Sequence, residues 1–166
     1  MDQYILELIE EIRTFQYPYK IQPPASIEAV DVLTQQAATI LNYLPPAFYL
    51  DLLQATDGID CNGFQLYAST TQKIAGFEDR EGYMILSLAE ANRFWREYEL
   101  NKKYIFFAES GDVLYCQNLS NGKFEIVDRN TKELAYKPSS FNSCEELMQT
   151  LLNHMLDRYE VAETES

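Results

Sequence analysis

The sequence predicts an α+β domain in which N-terminal helices precede an antiparallel meander sheet with an inserted helix, and a C-terminal helix packs on the sheet. Three observations lead to this class. Apolar residues recur at helical spacing over the first third of the chain, short strand-like segments separated by turn residues follow, and the last apolar stretch returns to helical spacing. Strands and helices do not alternate as they do in a parallel sheet.

Three helices are predicted before the first strand. The first ends before Tyr17 and has the apolar face Ile5, Leu8, Ile9, Ile12 and Phe15. The second is capped by Ser26 and has the apolar face Ile27, Val30, Leu33, Ala37, Ile40, Leu41 and Leu44. Pro46 starts a short third helix that ends near Ala55 and is closed by Asp57-Gly58, because proline fits the first helical turn.

The apolar period changes at Gly63. From there Phe64, Leu66 and Ala68 alternate with other residues, which predicts a half-buried strand. Ser87 and Glu90 then form a capping box that predicts a fourth helix, with one apolar stripe made of Leu88, Ala91, Trp95 and Tyr98.

Four strand candidates follow, at 104–108, 113–117, 123–128 and, more weakly, 134–137. Turn residues at Gly111 and Gly122 separate the first three, which predicts an antiparallel meander. A second capping box, Ser143 to Glu146, predicts a closing helix with apolar residues from 147 to 159.

These elements form one predicted domain over residues 1–159, in which 1–25 is an N-terminal helical extension. Residues 160–166 are expected to be a disordered acidic tail. No apolar run approaches the roughly 20 residues needed to cross a bilayer. The N-terminus also lacks the basic and apolar segments of a secretory signal, so we expect a cytoplasmic protein.

The chain is acidic, with 13 Lys and Arg against 26 Asp and Glu and a formal net charge of −13. Binding to phosphate backbones needs cations, so we expect no direct contact with nucleic acid. A basic protein is the natural partner. The three cysteines, Cys61, Cys116 and Cys144, have no Cys-x-x-Cys spacing, and we expect reduced, buried thiols.

Patterns typical of catalysis or cofactor binding are weak. His154, the single histidine, is predicted to lie half-solvated at the polar edge of the last helix, with no triad signature near it. The cysteines and His154 lack metal-site spacing, and the isolated glycines form no phosphate cradle, so we expect no metal and no cofactor. The pairs Asp57 with Asp60 and Glu109 with Asp112 leave a carboxylate enzyme such as a glycosidase as a minor alternative.

Charge distribution is more informative. Between Lys20 and Lys73 there is no Lys or Arg, while the carboxylates there include Asp51, Asp57 and Asp60. The loop residues Glu78, Asp79 and Glu81 follow, offset only by Arg80. This predicts an electronegative surface for a basic partner, with a generic solubilising surface as the rival interpretation. The tyrosines beside loops, expected to be exposed, are Tyr17, Tyr19, Tyr67 and Tyr83.

The order of these features resembles the SUKH superfamily over most of residues 26–156. The helix begun at Pro46, the Asp57-Gly58 turn and the strand at 63–68 resemble its opening motif. The segment 105–115, with Gly111-Asp112 at its turn, resembles the paired strands of the family, and 141–152 its closing helix. Gly58 and Gly111 suit turn conformations that side chains disfavour. Asp57 stands where Asn is common, and neither 70–82 nor the first 25 residues match the motif.

The resemblance implies a non-enzymatic binding domain. Bacterial members look like immunity proteins that neutralise a co-encoded toxin, often a nuclease, and the fungal, Smi/Knr-type branch is linked to cell-wall glucan synthesis. Our hypothesis is a cytoplasmic immunity protein, monomeric or weakly dimeric, that binds a basic toxin domain. The proposed contact residues are Asp51, Asp57, Asp60, Glu78, Asp79 and Glu81. The alternative is a regulatory scaffold without a toxin.

Overall fold

The computed structural model describes residues 1–16 and 21–159, and it confirms the predicted α+β class. The predictions made for Tyr17, Tyr19 and the tail at 160–166 lie outside the described residues. The helices are α1 (Gln3–Phe15), α2 (Ile27–Gln36), α3 (Ala47–Leu53), α4 (Leu88–Trp95) and α5 (Cys144–Met155). The strands are β1 (Ile59–Cys61), β2 (Phe64–Leu66), β3 (Gln72–Lys73), β4 (Met84–Ile85), β5 (Tyr104–Glu109), β6 (Val113–Asn118), β7 (Phe124–Asp128) and β8 (Ser140–Phe141).

Six strands form one antiparallel sheet in the order β1-β2-β5-β6-β7-β8, while β3 and β4 form a separate hairpin. Asp60, Gln65 and Glu109 are cross-strand neighbours on β1, β2 and β5. The hairpin is fastened just beyond β2, where the Ala68 N–H donates to the Leu86 carbonyl at 2.9 Å. The hairpin and the β1 end of the sheet therefore lie together.

One apolar core joins the sheet to the surrounding helices. On the predicted apolar face of α1, Ile5, Leu8, Ile9 and Ile12 are buried in that core, whereas Phe15 is exposed. Helix α1 packs against α5. The predicted N-terminal extension is thus part of the main core. Cys61, Cys116 and Cys144 are buried free thiols, as predicted.

The second helix differs from its prediction. Ser26 caps α2 as expected, accepting from the Ala29 N–H at 3.1 Å. However, the chain changes at Ala37–Leu41 into a π-helical turn, which ends at Asn42 with φ +52°. A left-handed residue after the last helical position is a common way for a helix to end. Leu44 therefore lies beyond the helix and is 75% exposed, and Ile27 and Ile40, predicted on the same apolar face, are also exposed.

Both capping serines are confirmed, but in the capping box at Ser87 a third residue, Thr71, lies between the serine N–H and the glutamate carboxylate. Ser143 and Ser87 both accept hydrogen bonds from the N–H three residues later. At Ser87, the backbone N–H donates to the Thr71 hydroxyl at 3.0 Å, and the Glu90 carboxylate accepts from the same hydroxyl at 2.7 Å. Thr71 thereby connects the start of α4 to the segment before β3. Tyr98 lies beyond α4 and is 75% exposed, so it is not on the predicted stripe.

Two further expectations change. The predicted strand at 134–137 is reduced to a single bridge between Leu134 and Val127, because Lys132 and Tyr136 have positive φ and interrupt the extended backbone. His154 is buried rather than half-solvated: its Nδ1 lies 2.7 Å from the Tyr115 hydroxyl, and its ring stacks on Tyr159. Burial lowers the pKa of His154 to about 4. None of the helices in the described part of the chain is both long and apolar enough to cross a membrane.

Candidate functional site

Asp57 is a structural carboxylate. It is 7% exposed, and both of its oxygens are bound: Oδ1 accepts from the Ser69 N–H at 2.7 Å, and Oδ2 accepts from the Ser69 hydroxyl at 2.7 Å and from Gln72 Nε2 at 3.0 Å. Asp57 was predicted to lie on an exposed binding surface, and this prediction is wrong because its carboxylate is buried. Asp57 ties the turn after α3 to the segment that leads into β3.

The neighbouring Gly58 is required by space and by backbone angle. Its φ is +87°, and a Cβ there would lie 3.0 Å from both the Ala68 Cβ and the Leu66 carbonyl oxygen. Gly111 differs, because its φ is outside the left-handed region and no atom lies within 4 Å of a Cβ built there. The predicted conformational reason holds for Gly58 and is wrong for Gly111.

Two other motif residues hold local structure. Pro46 directly precedes α3, and its carbonyl accepts from the Leu50 N–H at 3.2 Å, so it starts the helix as predicted. Asp112 is exposed; its carbonyl accepts from the Arg129 N–H at 2.9 Å, and its carboxylate accepts from the Tyr136 hydroxyl at 3.3 Å. Asp112 thus fixes the β5–β6 turn against the segment that follows β7.

Asp60 lies half-buried on β1, beside the hairpin. Gln65 Nε2 donates both to Asp60 Oδ2 at 3.0 Å and to the Met84 carbonyl at 3.1 Å, so one amide joins Asp60 to the start of β4. Burial raises the pKa of Asp60; the Gln65 hydrogen bond opposes this, and the Glu109 carboxylate adds to it. Through Gln65, Asp60 places a further carboxylate beside the hairpin.

The segment between β3 and β4 carries the exposed carboxylates Glu78, Asp79 and Glu81. We call residues 78–81 the acidic loop. The loop has an aromatic base: Phe77 and Tyr83 stack with ring centroids 5.1 Å apart, and the Arg80 guanidinium carbon lies 5.5 Å from the Phe77 centroid. The positive charge of Arg80 is therefore packed within the same loop. Asp51, also exposed, lies apart on α3.

Gln22 attaches this loop to the rest of the domain. Its Nε2 donates to Gln72 Oε1 at 2.7 Å and to the Lys73 carbonyl at 3.0 Å, and its Oε1 accepts from the Ala75 N–H at 2.6 Å. Gln22 is buried. Nothing in the sequence marked this residue, because its partners lie about fifty positions further along the chain.

Of the two described tyrosines that were predicted to be exposed, one is exposed and one is buried. Tyr83 is 43% exposed beside the acidic loop, as expected. Tyr67 is fully buried, against expectation: its hydroxyl donates to Glu109 Oε1 at 2.6 Å and accepts from Trp95 Nε1 at 3.0 Å. Glu109 and Trp95 therefore bind the Tyr67 hydroxyl inside the fold.

In each predicted carboxylate pair, the two carboxylates bind different partners. Asp57 binds Ser69 and Gln72, whereas Asp60 binds Gln65. Glu109 binds Tyr67 and Arg129, whereas Asp112 binds Tyr136. Within the described ranges, no group of three or more His, Cys, Asp or Glu side chains is placed to hold a metal ion.

A second charged region was missed by sequence analysis. A groove of about 620 Å³, here called the Trp95 groove, is lined by Trp95, Tyr98, Leu100, Asn101, Lys103, Tyr104, Arg129, Asn130, Thr131 and Lys132. A partial signal was present, since Lys102 and Lys103 follow closely after Arg93 and Arg96. Arg129 and Lys132 reach the same place only because β7 lies two strands from β5.

A scan of the chain against protein-family models and a search of curated proteins each found no match. The SUKH resemblance stays a prediction that rests on the residues quoted for it. Two regions stand out as candidate binding surfaces: the acidic loop with Asp60, and the Trp95 groove.

Proposed function

We propose that this chain is a non-enzymatic protein-binding domain, an immunity protein of the cytoplasm that neutralises a cognate toxin. Its binding surface would be the acidic loop with Asp60, and Asp57 supports that surface from within. The exposed Asp51, on α3, would be a separate contact. The observation that carries the proposal is an exposed, negatively charged loop held in place by buried polar contacts. The partner would be a basic domain, for example a nuclease, and no cofactor takes part.

Electrostatics favours such a partner. The chain has a net charge of −13, and the stretch from 21 to 72 contains no Lys or Arg. An excess of negative charge attracts a basic protein over about a Debye length, roughly 10 Å at 0.1 M salt, and so speeds encounter. Tyr83, partly exposed beside the carboxylates, offers apolar contact area once the two proteins meet.

The attachment of the loop also favours binding. Gln22 and Gln72 hold the hairpin to the domain, and Phe77 with Tyr83 fills its base. A loop that is already ordered loses less conformational entropy when it binds. The mechanism we propose is occlusion: the acidic surface covers the basic cleft with which the toxin holds its substrate.

The proposal is tested with the toxin domain encoded next to this gene. The triple variant Glu78→Lys, Asp79→Lys, Glu81→Lys changes the acidic loop, and Glu7→Lys, Glu97→Lys, Glu133→Lys makes the same net change at dispersed exposed sites. We expect the wild-type protein and the dispersed variant to protect growing cells from the toxin. The loop variant should fail to protect, and its association rate at low salt should fall by about tenfold or more.

Equal association rates for the two triple variants would show that net charge, rather than the loop, controls encounter. Failure of the wild-type protein to protect would overturn the immunity role, as would the absence of any toxin gene beside this one. The regulatory scaffold would then become the better hypothesis. Thermal unfolding of both variants serves as the control for folding.

A further inference from the structure

The Trp95 groove concentrates positive charge in an acidic protein. Its lining includes Lys103, Arg129 and Lys132, and none of the described residues that line it is a carboxylate. The whole chain has only 13 Lys and Arg against 26 Asp and Glu. Solubility does not require three cations to gather in one concave place, so their position points to a ligand of opposite charge.

The cations lie near aromatic rings, and the Trp95 ring is held in place by buried residues. The Arg129 guanidinium carbon is 5.0 Å from the Trp95 ring centroid, and Lys132 Nζ is 5.9 Å from it. Lys103 Nζ lies 5.3 Å from the Tyr104 centroid. Trp95 itself donates to the buried Tyr67 hydroxyl and packs on Phe106. The floor of the groove is therefore preformed, which lowers the entropic cost of binding.

Enough of this charge is available to a ligand. Arg129 Nη1 donates to the Ser110 carbonyl at 2.7 Å and to Glu109 Oε2 at 3.3 Å. A guanidinium has five N–H donors, and in the described part of the chain Nε and Nη2 of Arg129 have no acceptor. Lys103 and Lys132 take part in none of the ion pairs found among the described residues, although Lys132 Nζ donates to the Arg129 carbonyl at 2.5 Å. Lys103 and the remaining donors of Arg129 are therefore the groups left for a ligand.

The rim of the groove is apolar. Leu100 is 84% exposed and Tyr98 is 75% exposed, which is unusual for two large apolar side chains side by side. Cations next to exposed aromatic and aliphatic groups match a ligand that carries both carboxylates and apolar side chains. An acidic peptide segment has this composition.

A nucleotide or free phosphate fits less well. The groove lies at the carboxyl end of α4, where Asn101 Nδ2 donates to the Trp95 carbonyl at 2.8 Å. Phosphates favour the opposite end of a helix, where N–H groups and the positive dipole are exposed. No glycine-rich loop borders the groove within the described residues.

We propose that the Trp95 groove binds an acidic segment of a partner protein. Carboxylates of the segment contact Lys103 and Arg129, and its apolar side chains pack against Tyr98 and Leu100. This binding is independent of the acidic loop, so it stands whether or not the chain is an immunity protein.

The test uses Trp95 itself, since it is the only tryptophan of the chain. Its fluorescence is followed while the full-length protein is titrated with a short capped peptide that alternates Glu with Phe and Leu. We expect a saturable change in emission that weakens as salt is raised. Lys103→Glu and Leu100→Asp should each weaken the apparent affinity by about tenfold. Arg13→Glu, the same charge change on exposed α1, should leave it within about twofold.

Three results would overturn the proposal: no saturable change, equal binding of a matched peptide with Lys in place of Glu, or equal losses in Lys103→Glu and Arg13→Glu. Binding of adenosine triphosphate, but not of the acidic peptide, with loss in Lys103→Glu would reassign the groove to a phosphate ligand. Lys103 and Leu100 lie outside the buried core, and thermal unfolding of each variant checks that it folds.

Discussion

The acidic loop and the Trp95 groove hold opposite charges in different ways. The carboxylates of the loop are exposed, and its only arginine packs on Phe77 and Tyr83. In the groove the cations themselves lie on the rings, and Arg129 is half-buried beside Glu109. Exposed charge acts at long range and speeds encounter, whereas charge packed on aromatic rings acts at short range and adds specificity. The two regions are therefore suited to different steps of recognition.

A row of polar side chains connects the two regions. Asp60, Gln65 and Glu109 are neighbours across β1, β2 and β5, and Glu109 then binds Arg129. Variants at and around these regions, compared with control or matched substitutions where available, separate residues that hold the fold from exposed residues.

Asp57→Ala should cost the most. It removes three hydrogen bonds and leaves the Ser69 N–H and hydroxyl buried without their acceptor, so we expect a loss of about 3 kcal/mol in the free energy of unfolding. Asp51→Ala, at an exposed helix position, should change it by less than about 0.5 kcal/mol. Urea denaturation measures both. Equal effects would mean that Asp57 is not the anchor that its contacts indicate.

Gly58→Ala should come next, at about 2 to 3 kcal/mol, because the substitution adds steric contact to left-handed strain. Gly82→Ala is the matched control: φ is +85° and the space around it is open, so only the strain of about 1 kcal/mol remains. The difference between the two urea midpoints isolates the packing cost. If the two variants were equally stable, the close approach of β2 and β4 to Gly58 would be disproved.

Arg129→Met should cost about 1 to 2 kcal/mol, since it leaves the half-buried Glu109 carboxylate without its cation. Arg80→Met in the acidic loop removes an exposed cation on similar rings and should cost about 0.5 kcal/mol or less. Thermal unfolding at matched salt compares them. A larger loss for Arg80→Met would reverse the assignment of the buried cation to the groove.

Asp60→Asn should have the smallest effect and the opposite sign. Burial and Glu109 raise the pKa of Asp60, so its charged form destabilises the folded state at neutral pH. We expect the variant to be slightly more stable than the wild type at pH 7. This advantage should decrease as pH falls through the raised pKa and vanish below the ordinary value of 3.8, where the wild-type carboxyl is neutral in both the folded and the unfolded state. Urea curves at several pH values test it, and a constant advantage would contradict it.

Local signals in the sequence predicted much of the fold. The capping serines, Pro46 and the turn at Gly58 act through neighbours in the chain, and each lies where it was expected. Burial of Tyr67 and His154 was not predictable in the same way. Periodicity gives the face on which a side chain lies, but not the residues that cover this face from elsewhere in the chain.

The candidate site shows the same division. Asp57 before a glycine has the pattern of an exposed turn, and only the hairpin that folds over it makes it buried. The exposed carboxylates of the acidic loop were identified directly, because loops are on the surface. The Trp95 groove depends on strand order, which brings residues near 100 and 130 together.

The buried cysteines make the folded protein a natural background for site-specific labelling. Burial raises the pKa of Cys61 to about 11 and that of Cys144 to about 12, and it raises the pKa of Cys116 as well. The thiolate is the nucleophile that attacks a thiol reagent, so the native state should react slowly at all three positions. A single cysteine added to the acidic loop or to the groove rim would then carry a dye by itself. With no added cysteine, the rate at which the three native cysteines are modified measures how often the core opens.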